Sequence, residues 1–299
     1  MSAFTKMNLE QNNINIDNNI NIDNTITIDN TIDIENNIDY LKNKNPHERD
    51  KYIEFDEPSH TYTIKGYADY TSVTTWLHSH FGKFDADKII QNMKKGKNWK
   101  NSKYYGRTDE DIKMEWNCNG NTAAAAGTKL HYFIECYYNN MDTGDESEEF
   151  GYFMNFSRDF PHFDNQAYRT EWTIYDEELK LAGSIDMIFK NPDGTYMIYD
   201  WKRCKNIEKT NSWNKWANKE CISHIPDTNY WHYALQLNIY KGLLEKNYGI
   251  KVTKLYLVCL HPENKRKNYE LTKLPELNKE ISDLFEYRKT CINTDKISK

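Results

Sequence analysis

Asp186, Asp200 and Lys202 stand within or at the end of apolar, strand-like runs in the stretch GSIDMIFKNPDGTYMIYDWK, residues 183–202. Asp186 lies within one strand-like run, Asp200 ends the next, and Lys202 follows two residues later. Residues i and i+2 of a strand share a face, so Asp200 and Lys202 point the same way. Asn191-Pro192-Asp193-Gly194 is turn chemistry that folds the two runs together and can bring Asp186 beside Asp200. Adjacent carboxylates repel unless a cation lies between them. Hard oxygen donors with room for water suit Mg2+ or Mn2+. A lysine at the same point can hold or deprotonate an attacking water and offset developing negative charge. The plain alternative is a surface hairpin carrying a Lys–Asp pair.

Three further features bear on the choice. His131 and Glu135 are four residues apart on a helical pattern and share a face, so His131 can add a neutral ring nitrogen to the metal set. A helix histidine paired with Glu135 is the bland reading. Gln236 and Tyr240 repeat the same spacing, and both can hydrogen-bond a phosphate or a base. Residues 202–219 carry six basic side chains, among them Arg203 and Lys205, against Glu208 alone, interleaved with Trp213 and Trp216. Basic charge with aromatic stacking surfaces suits a groove that tracks a nucleic-acid strand, and a solvated charged loop would look the same. His78 and His80 form an HSH pair with no evident third ligand, which favours packing or surface roles.

The elements that must position these residues are legible in outline. A hairpin is expected over 52–65 and short helices over 71–81 and 84–93. Leu130, Ile134 and Tyr137 form the stripe of a helix over 122–139. Strands are expected over 167–175, 179–190 and 195–201, a helix over 229–246, a strand over 251–260, and a last helix from about Pro275. Helix, three strands, helix, strand is an α/β order with a mixed sheet.

The chain has 299 residues, 38% of them hydrophobic and 28% charged, and a mean hydropathy of −0.92. No apolar run approaches the roughly 18–20 residues of a membrane helix. The first residues lack the apolar segment of a secretory signal, so an intracellular, non-secreted protein is expected. Six scattered cysteines without a CxxC pair argue against a zinc ribbon or a disulfide scaffold and fit free thiols. Of the net charge of −6, residues 1–50 hold −5, which leaves the body near neutral and able to present basic patches. Over residues 12–39 isoleucine recurs every six positions in Asn-rich sequence. That pattern reads as a low-complexity, disordered tail over 1–45 rather than a short solenoid. The body then runs over 46–299. No Walker-type loop is present, so the chain carries no ATP-driven motor.

Taken in order, Gly127–Glu135 (GTxLHxxxE), Gly183–Asp186 (GxxD), Asp200–Lys202 (DxK) and Gln236–Tyr240 (QxxxY) resemble the PD-(D/E)XK nuclease superfamily. The set is most similar to the branch that holds the RecB nuclease domain, phage-type recombination exonucleases and the mitochondrial genome maintenance exonuclease. The resemblance covers about residues 120–260, and Ser72–Thr74 is similar to a segment of phage-type members. It implies a restriction-endonuclease-like α/β core with N-terminal helical and hairpin additions. It implies a metal-dependent DNA nuclease, an exonuclease on linear ends or single strands, in recombination, repair or genome processing. Asp186, Asp200, His131 and the Trp201 carbonyl would hold Mg2+ or Mn2+, Lys202 would be the catalytic lysine, and Gln236 and Tyr240 would hold the DNA backbone. Glu135 and Glu171 would be supporting acids. Some members carry an iron–sulfur cluster on clustered late cysteines. Here Cys259 and Cys291 stand apart, so no cluster is expected. An inactive nucleic-acid-binding relative, an endonuclease and an RNA-directed phosphodiesterase are the alternatives this set leaves open.

Overall fold

The computed structural model describes residues 38–297. All but the end of the isoleucine repeat, and the tail reading built on it, lie outside the described residues. The packed body begins before the boundary drawn at 45/46. Helix α1 (Tyr40–Lys44) buries Leu41, whose N–H donates to Asn139 Oδ1 at 2.9 Å. Asn45 Nδ2 donates to the Tyr168 carbonyl, and Asn45 O accepts from Arg169. Leu41 is one apolar anchor among Asp39, Lys42, Asn43, Lys44 and Asn45, so composition alone puts the boundary too late.

The expected hairpin is β1 (Ile53–Asp56) and β2 (Thr61–Ile64), paired antiparallel. A short strand β3 (Thr71–Ser72) runs into helix α2 (Val73–His78), whose N-cap Ser72 accepts from Thr75 N–H. Asp85 caps helix α3 (Ala86–Lys95) in the same way.

Helix α4 (Asp109–Tyr138) starts well before the expected residue 122. Thr108 caps it, and Asp109, Glu110 and Asp111 sit at its positive end. Residues 117–125 are all exposed, so this part of the helix carries no apolar stripe to read. Its Ala123–Ala126 run forms helix by propensity. Helices α5 (Glu148–Asp159) and α6 (His162–Gln166) fill a stretch for which the sequence suggested no element. Phe150, Phe153 and Phe156 of α5, three apart, are buried together.

Strands β4 (Ala167–Asp176), β5 (Leu181–Lys190) and β6 (Tyr196–Lys202) follow, then helix α7 (Asn229–Asn247) and β7 (Val252–Cys259). A further strand β8 (Glu270–Lys273) pairs with β7, and helix α8 (Asn278–Ile297) ends the described chain. The result is a mixed α/β sheet in the order expected: helix, three strands, helix, strand. β4, β5 and β6 are antiparallel neighbours. β6 and β7 are parallel, which requires the crossover through α7. One core lies between the sheet and α7 with α8, the other between the sheet and α4 with α5. No described helix is long and apolar enough to cross a membrane.

The feature that matters for chemistry is a fork. β4 occupies one edge of β5 from Leu181 to Phe189. The other edge is shared: β3 takes Leu181 and Ala182 in parallel, and β6 takes Met187–Lys190 antiparallel. Between them Gly183–Asp186 face no strand, and β6 runs on alone with β7 through Asp200–Lys202. The Tyr240 ring fills the gap. A Cβ on Gly183 would stand 2.8 Å from Tyr240 Cε1 and 3.0 Å from its hydroxyl. Tyr240 is only 3% exposed and has no room to withdraw. Gly183→Ala is therefore expected to cost about 1–3 kcal/mol in urea unfolding. A variant as stable as the parent would show that Tyr240 does not wedge the fork.

Candidate metal centre

At the fork the backbone of Trp201 has lost β5 as a partner, and side chains take its place. Trp201 N–H donates to Asp186 Oδ2 at 2.9 Å. The Trp201 carbonyl lies 2.7 Å from His131 Nε2. A carbonyl only accepts, so Nε2 carries the proton and Nδ1 is the ring nitrogen left for the site. The Trp201 side chain anchors this peptide in the second core, with Phe153 and Phe156 both 5.5 Å away, ring to ring.

His131 Nδ1 lies 3.5 Å from Glu171 Oε1 and 3.6 Å from Asp186 Oδ2. Among the described residues these three converge as a possible metal-holding group, with ligand atoms all within 4.8 Å of one another. Glu171, which the resemblance implied only as a supporting acid, is one of the three. It faces Asp186 across the β4–β5 ladder, in the one unpaired step between Thr170↔Met187 and Trp172↔Ile185. Its φ is +40°, a conformation that costs a non-glycine residue energy and gathers at functional sites. Its other oxygen accepts from Ser184 Oγ at 2.9 Å. Two carboxylates directly opposite on a sheet destabilise it unless something positive lies between them. Carboxylate oxygens suit Mg2+ or Mn2+ and an imidazole nitrogen suits first-row transition ions, so the residues present fit a divalent ion.

Asp200 and Lys202 form the second half. Asp200 is 2% exposed, and its Oδ2 lies 2.5 Å from Lys202 Nζ. The pair is ionic, but its angles leave that oxygen without a proper hydrogen bond. Lys202 Nζ is 4.0 Å from Asp186 Oδ2, and it lies 5.2 Å from the Tyr233 ring centroid. Asp186 thus touches both halves. Asp200 is not one of the three converging ligands, but its half-satisfied oxygen is buried beside them.

The charges are tightly coupled. Burial would lower the His131 imidazole, but Asp186 and Glu171 outweigh it and push it up to about 9. Burial and then Asp186 push the Asp200 carboxyl up to about 7, against the pull of Lys202. Burial opposes the Lys202 charge, yet Asp200 and Asp186 hold its ammonium above the usual lysine value. Glu135, one helical turn beyond His131, is pushed up to about 8 by burial and then by Glu171.

The remaining candidates are dispersed. Gln236 Nε2 donates to the Tyr240 hydroxyl at 3.3 Å. Tyr240 is buried beneath Gly183, which leaves the half-buried Gln236 as the outward member of that pair. Arg203 is tied to Glu149 of α5 at 2.7 Å, and Lys205 pairs with Glu263 at the surface. His80 is buried against Trp76, and the His78 ring lies tilted against that of His232, 5.6 Å away. No spacing in the sequence marks Glu171: the resemblance offered it as a supporting acid, and only the strand register sets it opposite Asp186.

No family model and no curated protein matches the chain. A solved structure from Eubacterium rectale, provisionally named an exonuclease, is similar in fold with a TM-score of 0.40 and 12% identity, over 76% of this chain and 79% of that one.

A histidine raised from 6.5 to about 9 stabilises the fold fully below pH 6.5, and that contribution is lost as pH rises through 9. A carboxyl raised from 3.8 to about 7 favours the folded state only while protonated, so stability falls as pH rises between those values. The metal-free protein therefore loses stability through Asp200 up to about pH 7 and through His131 from about pH 6.5 to 9. A divalent ion takes the place of these protons, so the rise in Tm on adding Mg2+ should grow across those ranges. A rise that shrinks with pH, or none at any pH, would contradict the assignment.

Proposed function

We propose that this protein is a divalent-metal-dependent DNA nuclease that acts as an exonuclease on linear ends or single strands. The observation that carries the reading is the fork, where Glu171, Asp186 and His131 converge beside the buried Asp200–Lys202 pair. His131 Nδ1, Glu171 and Asp186 would hold the ion, with the half-satisfied oxygen of Asp200 next to it. When bound, the ion would supply Lewis-acid charge to a phosphodiester and its attacking water.

The chain's own groups do the rest. Lys202 stays an ammonium, so it donates to water or to a phosphate oxygen instead of taking a proton. Asp200 and Asp186 fix where that ammonium points. Gln236 is placed to donate to the sugar-phosphate backbone. Trp213 is 80% exposed and Trp216 47% exposed on the basic segment that leaves β6, and both offer faces for unstacked bases. The Lys205–Glu263 pair is exposed and worth little, so a phosphate can displace the glutamate. The four ordered motifs support DNA as substrate and a place in recombination, repair or genome processing.

The test uses end-labelled linear DNA and closed circular DNA with Mg2+, Mn2+ or EDTA. Loss of the linear substrate alone, only with metal, is expected. Lys202→Ala and Asp200→Ala should lower the rate by about 10²–10³ or more while the protein stays folded. Nicking of the circle would move the reading to an endonuclease. Digestion of RNA but never DNA, or no cleavage with any metal, would overturn it.

A further inference from the structure

Six cysteines are free, and two of them meet. Cys259 lies opposite Lys202 across the β6–β7 pairing. Cys204, two residues past Lys202, turns back so that its Sγ lies 2.9 Å from Cys259 Sγ. They are 55 residues apart in sequence, so only the fold brings them together. A bonded pair sits at about 2.05 Å, roughly 1 Å closer, a movement a side-chain rotation can supply. Cys204 is partly exposed and Cys259 is buried.

We propose that Cys204 and Cys259 are a redox-active dithiol that closes to a reversible disulfide with a low-molecular-weight disulfide such as oxidised glutathione as oxidant. The Cys204 thiolate attacks one sulfur of the oxidant, forms a mixed disulfide and expels one glutathione thiolate. The Cys259 sulfur then attacks Cys204 Sγ, gives its proton to solvent and expels the second glutathione. Two protein thiols lose two electrons and two protons, and one glutathione disulfide becomes two thiols. The order follows from access: the oxidant reaches Cys204, and Cys259 resolves the intermediate from beneath. The Cys259 hydrogen bond lowers the Cys204 thiol, against burial and with help from Lys202, while the same contact raises Cys259.

The bond would staple the exit of β6 to β7, where Leu260 N–H already donates to the Lys202 carbonyl at 2.9 Å. It would fix the start of the basic segment 203–219 while moving neither Lys202 nor the fork. This dithiol chemistry does not depend on the nuclease reading.

The test treats the full chain with oxidised glutathione and reads intact mass, peptide cross-links and Tm. A loss of two hydrogens with a Cys204–Cys259 cross-link is expected, with a Tm higher by roughly 5–10 °C that dithiothreitol reverses. Cys259→Ala should stop at one glutathione on Cys204, and Cys204→Ser should form no bond at Cys259. Reduced variants that melt with the reduced parent show that the substitutions left the fold intact. If the variants do not fold, the cross-link map of the parent decides alone. Six alkylatable thiols after oxidation, or cross-links through Cys118, Cys221 or Cys291 instead, would overturn the proposal.

Discussion

A strand has two edges, and β5 must serve three neighbours. β4 takes one edge, and β3 and β6 divide the other. This geometric limit opens the sheet at Gly183–Asp186 and leaves the Trp201 peptide, still paired with β7, without a strand on its β5 side. Buried backbone groups cannot go unpaired without cost. Asp186 and His131 supply the missing acceptor and donor, and so the side chains that could do chemistry are also the ones that close the sheet. Tyr240 fills the remaining space, which is why a glycine stands at 183.

The same place concentrates unfavourable electrostatics. Glu171 and Asp186 oppose each other, Glu171 is held at positive φ, and Asp200 is buried with an ammonium as its main counter-charge. A buried ion pair recovers little of its desolvation cost. The aromatic packing of Trp201 against α5 and the paired β6–β7 ladder hold these groups in place regardless. Strain of this kind makes physical sense where a cation completes the balance. The proton that His131 retains to a high pH occupies the same electrostatic niche.

Much of this was legible in the sequence. Alternation placed Asp200 and Lys202 on one face, and the Asn191–Gly194 turn joined β5 to β6 in the right order. The helical stripe of Leu130 and Ile134 put His131 on the buried half of α4. What escaped depends on long-range pairing. Glu171 becomes a partner of Asp186 only through the β4–β5 register, where the alternation of both strands also breaks: Ile185 packs toward α7 and Met187 toward α4. The exposed half of α4 has no periodicity because it packs on little. Cys204 and Cys259 are unremarkable until β6 and β7 lie side by side. Leu41, the anchor of α1, is hidden in a polar context that resembles the repeat before it.

The central claim is that the fork holds a divalent ion between Glu171 and Asp186, beside Lys202. The most direct measurement is anomalous diffraction from crystals of the full chain soaked in Mn2+. The account predicts one strong peak within coordination distance of His131 Nδ1, Glu171 and Asp186, with Lys202 Nζ turned toward the same space. An ordered fork with no peak, or manganese bound only at surface carboxylates, would contradict it.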